Sequence, residues 1–286
     1  MASPIIRLQS RRLHLLELES LGLLKSLFPQ DQEMLETRHA VHLWKQEKKL
    51  FDFFLSKVAK FNIEKPAFYL DSHMCQTESI LNILKPYCEI TDLSADFEIL
   101  ACCMPSADFK EGQRMFMEEQ GNMMYDEETQ KHLTGYVSFV DPRTRFLGLR
   151  IISIEGCIEA EDMRGEDYYK IWRILNGVCE GELVMKSTAE HLNFQYFNGK
   201  KSKVSDAFIL CGAVPNSENQ ELIYNKVYSK KLDGLRLVDQ KNNMVGKVFE
   251  SINNIALIKV LSMDVHKELY LEDGEKIHVW PPQYIC

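Results

Sequence analysis

Eight cysteines are the first residues to weigh for chemistry, because a thiolate is a soft metal ligand and a strong nucleophile. Their spacing argues against both uses. No Cys-x-x-Cys occurs, and the nearest pair, Cys102-Cys103, is adjacent inside an apolar run, so neither a zinc site nor a dense disulfide framework is expected. Cys75, Cys88, Cys157 and Cys179 stand beside apolar neighbours, where a free thiol packs as a small hydrophobe in a reducing compartment. Cys211, within Phe208-Ile209-Leu210-Cys211-Gly212, has the same surroundings. Asp162 and Glu166 are spaced for a carboxylate pair, but the run 159–167 around them reads as a solvated acidic face. Gly-rich phosphate loops, His-Glu-x-x-His and nucleophile elbows are absent. Asn198-Gly199, taken alone, is a tight turn.

The elements that must position these residues follow from hydrophobic spacing. A strand is expected over 5–16 and a short helix over 19–28, where Leu21, Leu24 and Phe28 recur at helical spacing before Pro29. Residues 39–45 alternate as a second strand. Residues 49–61 are so densely apolar that helix and strand remain equally open. From 65 to 105 the order reads strand (67–70), helix (74–84), strand (89–93) and strand (98–104), the repeating idea of split β-α-β units. Two strands flank Asp141-Pro142-Arg143-Thr144 over 135–153, and 165–175 reads as a helix with Gly177 as its C-cap. Residues 112–131 read as a polar loop or surface helix. After 231, short strands at 235–237, 244–249, 255–260 and 276–280 alternate with Asn and Asp-Gly turns, which indicates a small β-barrel or sandwich.

Bulk composition sets outer limits. With 286 residues, 45% hydrophobic and 27% charged, the chain can bury a sizeable core in two or three compact units. A formal charge of −8 argues against a general phosphate-backbone binder, so no nucleic-acid partner is expected. No uninterrupted apolar run approaches the roughly 20 residues of a membrane span, and a soluble protein is expected. Residues 1–16 carry Arg7, Arg11, Arg12, two serines and no acid, the look of a transit peptide. Their alternation favours a strand instead.

Several segments, in order along about 270 residues, resemble one family. His42 to Asp52 is similar to a family strand ending in Gln-Gly-Arg followed by Leu-x-Asp, with Gln46, Leu50 and Asp52 in place and Glu47-Lys48 instead of Gly-Arg. Asp141-Pro142-Arg143 matches a family tripeptide. Arg173, Gly177, Glu180 and Gly181 match Tyr-x-x-x-Arg-x-x-x-Gly-x-x-Glu-Gly, and Asn193 to Gly199 resembles Asn-Leu-x-Phe-x-Asn-Gly. Gln220-Glu221-Leu222 stands where the family carries Lys-Gly-Cys-Tyr-x-Gly-Gln-Glu-Leu ahead of a Val-x-x-Lys-Arg-Leu run, but Asn216 occupies the place of the thiol. Gly246-Lys247 and Trp280-Pro281-Pro282 complete the similarity. The pattern is that of the mitochondrial iron–sulfur cluster assembly factors of the aminomethyltransferase-like clan, to which the glycine-cleavage T-protein also belongs.

This resemblance implies an α+β fold: a three-module ring of split β-α-β modules plus a small C-terminal β-barrel. Its modules would be 1–51 with 141–234, an inserted ferredoxin-like unit over 52–140, and a barrel over 235–286. The link between Asn198 and Glu221 would be an irregular polar segment lining a central channel. It also implies a tetrahydrofolate-type ligand, with Glu221 or Glu190 pairing with the pterin, Arg143 or Arg173 meeting a carboxylate, and Asn193, Asn198 and Gln220 alongside. The family Glu two residues before Asn193 is replaced by His191. A neutral amide at Asn216 is a poor iron ligand, which leaves Cys211 as the candidate thiol toward a shared iron–sulfur cluster. The implied role is a non-catalytic factor of the mitochondrial matrix that assists [4Fe–4S] protein maturation with scaffold or carrier proteins. Its alternatives are a folate-dependent one-carbon transferase and a diverged non-catalytic scaffold.

Overall fold

The computed structural model describes residues 5–28, 38–58, 65–103, 136–158, 163–194, 197, 208–215, 232–252, 255–261, 264 and 267–280. Its first strands arise from one segment. β1 (Ile5–Arg7) and β2 (Arg11–Leu18) are separated by a turn at Gln9-Ser10, closed by the Arg11 amide donating to the Leu8 carbonyl at 3.2 Å. The single strand expected over 5–16 is therefore two, and they enter different sheets. Ser10 anchors the bend, its carbonyl accepting from the Met74 amide at 2.8 Å and its amide donating to the Glu166 carboxylate.

The sheet that receives β2 runs in the order β3-β4-β5-β2-β6, with β3 at Ala40–Gln46, β4 at Leu50–Lys57, β5 at Ala67–His73 and β6 at Cys88–Asp92, each neighbouring pair antiparallel. Leu50–Lys57, open to either reading in the sequence, is a strand covered on both faces, and two buried faces remove the alternation that would have identified it. Leu16, Phe53, Leu55 and Leu70 face α1 (Leu21–Leu27) and α2 (Met74–Leu84), whose Leu24, Ile80 and Leu84 complete that core.

β1 joins a second five-stranded sheet, in the order β10-β1-β7-β9-β8, with β7 at Phe97–Cys102, β8 at Tyr136–Val140, β9 at Leu149–Ile154 and β10 at Met163–Arg164. Sheet membership thus crosses residues 51/52 and 140/141, because the chain alternates between sheets at Ser10 and again after β6. Against this sheet lies α3 (Glu166–Leu175), which begins with Glu166 and Asp167 and ends with Arg173, the polarity that a helix dipole favours. Gly177 takes φ 68° directly after it, as its position predicts, and its amide donates to the Ile174 carbonyl at 2.9 Å. A one-turn helix, α4 (Glu182–Met185), follows.

The third unit is a closed barrel in the order β11-β14-β13-β12-β15-β16. Its strands are β11 (Phe208–Pro215), β12 (Arg236–Val238), β13 (Met244–Ile252), β14 (Ile255–Leu261), β15 (Leu269–Leu271) and β16 (Lys276–Trp280). β15 escaped the sequence reading. β11 corrects it, since the link between Asn198 and Glu221 contains a barrel strand paired on both sides, to β14 and β16. It is an apolar run buried on both faces: Cys211 and Ala213 point into the barrel core, while Leu210 joins the cluster under α3.

α3 packs on the barrel where Gly212 allows it. A Cβ there would lie 2.8 Å from both the Cα and the carbonyl oxygen of Leu175, so helix and strand touch through backbone. Gly212→Ala is expected to lower stability by about 1–3 kcal/mol, read as a shift of the urea midpoint at unchanged slope.

Candidate functional site

The two sheets and α3 meet at a polar centre inside an otherwise apolar interface. Three arginines supply the positive charge: Arg11 from β2, Arg143 from the loop after β8, and Arg150 from β9. Asp71 accepts from Arg11 Nε at 2.5 Å through one oxygen and from Arg150 Nη1 at 2.7 Å through the other. Asp141 receives Arg143 Nη2 at 2.8 Å and Arg150 Nε at 2.9 Å. Glu180 receives Arg143 Nη1, Arg150 Nη2 at 3.2 Å and the Tyr169 hydroxyl at 2.7 Å, while that hydroxyl accepts from Arg143 and Arg150, each at 2.7 Å.

Phe54 sits among the guanidinium groups, with Arg150, Arg143 and Arg11 at 4.2, 4.9 and 5.1 Å from its ring centroid. An aromatic face is attractive to cations, so the ring separates like charges that would otherwise repel. Beside it, His42 lies 3.0 Å from Asp52, whose other oxygen accepts from Gln76 at 3.0 Å. Gln76 also accepts from the Asp52 amide at 2.8 Å and donates to the Gly181 carbonyl at 3.1 Å, joining α2, β4 and the loop after α3. Phe194 and Phe197 pack edge-on against the His42 ring at 4.9 and 5.3 Å.

Electrostatics inside this centre are set by mutual neutralisation. Burial alone would raise Asp141, but Arg143 and Arg150 overrule it and hold the carboxyl at about 2. Glu180 is treated the same way by Arg143, Arg11, Arg150 and Arg173 and lies well below the usual carboxylate range. Burial pushes the Tyr169 phenol above its ordinary value despite both arginines, so it remains protonated and can donate to Glu180. At the edge, half-buried His73 is lowered by burial and then by Arg11. Its Nδ1 accepts from the Cys75 amide at 3.3 Å, as an N-cap to α2. The ring lies against Gly181, where φ is 70° and a Cβ would come 3.0 Å from Nε2, so only glycine fits.

The residues singled out from sequence are placed as follows. Arg143, 1% exposed, spends its donors on Asp141, Glu180 and Tyr169. Arg173 forms a fork with Glu250 of β13, both bonds 2.8 Å, and donates to the Val178 carbonyl at 3.1 Å, fastening α3 to the barrel. Asn193, left-handed at φ 63°, accepts from the Leu210 amide and donates to the Leu210 carbonyl, both at 3.1 Å, and reaches the Gly177 carbonyl at 3.3 Å. Cys211 is 0% exposed among Ala213, Ile258 and Val260. Glu190 falls in a 3-10 turn, Ala189–Leu192. Asn198, Asn216, Gln220 and Glu221 lie outside the described residues, as does the 112–131 segment.

Fit to a folate or a cluster can be judged from these contacts. Both guanidiniums proposed for a ligand carboxylate already hold protein carboxylates, and Asn193 is committed to backbone. Cys211 is buried in the barrel core, so a cluster could reach it only by opening the barrel. Among the described residues no group of three or more His, Cys, Asp or Glu is arranged to hold a metal ion, and the seven cysteines there are free thiols. The described side chains therefore do not fit either group. Sequence reading missed Arg11, Asp71, Arg150 and Tyr169 as partners. Their signal was present, since Asp71 in Phe-Tyr-Leu-Asp and Arg150 in Leu-Arg-Ile-Ile are single charges in apolar strands, which must be paired to be buried.

Asp141→Asn removes one of the three carboxylates that face Arg143 and Arg150, and a loss of about 3–5 kcal/mol in urea unfolding is expected. Because the folded pKa of Asp141 is depressed from 3.8 to about 2, its stabilisation is present above the unfolded value and lost as pH falls toward 2. The native chain should lose stability steeply over that window. The Asn variant should do so with a shallower slope.

Comparison with known proteins adds the fold. No family model matches the sequence, and no curated protein matches it. Among solved structures the chain is similar to the crystal structure of glycine cleavage system aminomethyltransferase T from Bartonella henselae, at 14% identity and a TM-score of 0.62, covering 99% of this chain and 86% of that one. The α+β architecture, with its closed six-stranded barrel, is of the aminomethyltransferase type.

Proposed function

We propose that this chain is a non-catalytic scaffold on an aminomethyltransferase-like fold, acting in [4Fe–4S] protein maturation in the mitochondrial matrix together with iron–sulfur scaffold or carrier proteins. One observation supports the scaffold reading above the others. Arg143, Arg173 and Asn193, the described polar residues best suited to a folate, are spent on intramolecular bonds that hold the fold together, and Cys211 is sealed in the barrel. A ligand-binding enzyme keeps convergent polar groups open to a cavity. Here each is turned to a partner within the chain. The maturation role and the compartment rest on the collinear sequence resemblance.

A folate-dependent aminomethyl or one-carbon transferase is the second reading, favoured by the similarity in fold to an aminomethyltransferase T. The two separate experimentally. Depletion of the protein is expected to lower aconitase-type activity and protein lipoylation together, since both depend on [4Fe–4S] enzymes, and normal values of both would remove the maturation role. In a fluorescence titration with tetrahydrofolate, no interaction is expected in the micromolar range. Saturable binding there would move the assignment to the transferase.

A further inference from the structure

His73 ends β5 and opens α2, and one ring nitrogen sets how that helix begins. Its Nδ1 accepts from the Cys75 amide at 3.3 Å, the position that Ser, Thr, Asp and Asn oxygens prefer at a helix start. A nitrogen that accepts there carries no proton, so the ring is neutral and its proton sits on Nε2. The first turn of α2 hangs on the same corner through three further bonds. Thr77 Oγ1 donates to the His73 carbonyl at 3.1 Å, the Met74 amide to the Ser10 carbonyl at 2.8 Å, and Gln76 Nε2 to the Gly181 carbonyl at 3.1 Å. The ring rests against Gly181 and is half-buried, so a proton reaches it without the fold opening. Arg11 stands directly opposite it on β2, and Arg173 of α3, Asp52 of β4, Glu180 and Glu182 also act on its charge. Two of those carboxylates are already committed: Asp52 to His42 and Gln76, and Glu180 to Arg143, Arg150 and Tyr169. Glu182 is exposed and pairs with Lys186. Burial lowers the ring's pKa from 6.5, Arg11 lowers it further, and Glu180 and Asp52 act against them.

We propose that His73 is a proton-released helix cap: protonation turns Nδ1 from acceptor to donor, strands the Cys75 amide and opens the first turn of α2 at its junction with Gly181. The proton comes from solvent, and no other reactant takes part. Two N–H groups then point at each other, and the new cation stands across the ladder from Arg11, where like charges are unfavourable. Linkage gives the sign. An unfolded histidine takes up its proton near pH 6.5, whereas the native ring stays neutral to lower pH. Its contribution to stability is therefore complete above about 6.5 and declines as pH falls through that value toward the native one. The turn that opens carries Met74, 53% exposed, and the half-buried Cys75 thiol. This device holds whether or not the maturation role stands.

The test follows the isotope-labelled full chain by NMR from about pH 8 to about pH 5. The His73 ring should titrate below 6.5, and the Cys75 and Gln76 amide shifts should move along the same curve. Urea unfolding gives the second reading, since each proton taken up on unfolding changes the equilibrium constant about tenfold per pH unit. His73→Asn, whose amide oxygen caps a helix at every pH, should flatten the native slope below pH 6.5 by up to about tenfold per pH unit. His73→Leu should flatten it equally, but with no acceptor it should unfold at least about fivefold more readily than the Asn variant at about pH 8. A buried histidine that capped nothing would titrate low without moving the Cys75 amide and without separating Asn from Leu. A ring titrating at or above 6.5, a Cys75 amide that does not follow it, or an Asn variant with the native slope would each overturn the proposal.

Discussion

Three guanidinium groups around the Phe54 ring, each held by carboxylates from a different segment, are the constraint on which the two sheets depend. Asp71 belongs to β5, Asp141 follows β8, and Glu180 lies beyond α3, so every bridge except Arg143–Asp141, which lies within one loop, crosses an element boundary. Removing charges from water is expensive, and their attraction offsets that cost only when every donor and lone pair is matched. Here the matching is close, with the Tyr169 hydroxyl accepting from Arg143 and Arg150 and donating a hydrogen bond to Glu180. A register slip in β5 or β9 would leave a charge stranded, so the cluster specifies how the sheets pack as well as contributing to stability.

The barrel is attached by shorter-range devices. Arg173 and Lys170 on α3 both meet Glu250, Asn193 clasps Leu210 by amide and carbonyl, and Gly212 lets α3 touch β11. Around them Ile171, Ile174, Leu192, Phe194, Leu210 and Leu257 form one apolar cluster shared by helix and barrel. Arg173 and Asn193 are thus joints between units. This explains how a sequence can keep the residues of a ligand-binding fold at matching positions while using them to hold modules together.

Local patterns were legible in the sequence, with instructive failures. Met74–Leu84 and Lys276–Trp280 follow from spacing alone, and Gly177 from its place two residues beyond a helix end. Leu50–Lys57 could not be typed because both faces are buried. The 5–16 strand was split at Ser10, where the bonds that turn the chain come from Met74 and Glu166, far along the sequence. β11 was passed over because its flanking polar residues and a family-like Gln-Glu-Leu suggested a loop, and because its continuous apolar run, like that of Leu50–Lys57, shows no alternation.

By itself, the sequence determined the α+β class, the elements with clear periodicity and the absence of a zinc pattern, because these depend on residues a few positions apart; of the cysteines expected to pack as small hydrophobes, Cys179 is buried, Cys75 and Cys88 are half-buried and Cys157 is exposed. Only the tertiary structure decided which charges neutralise which, that Arg143, Arg173 and Asn193 are committed to intramolecular bonds, and that Arg11 stands directly opposite His73. Those relations join residues separated by up to about eighty positions, and strand register, which packing of the whole core selects, brings them together.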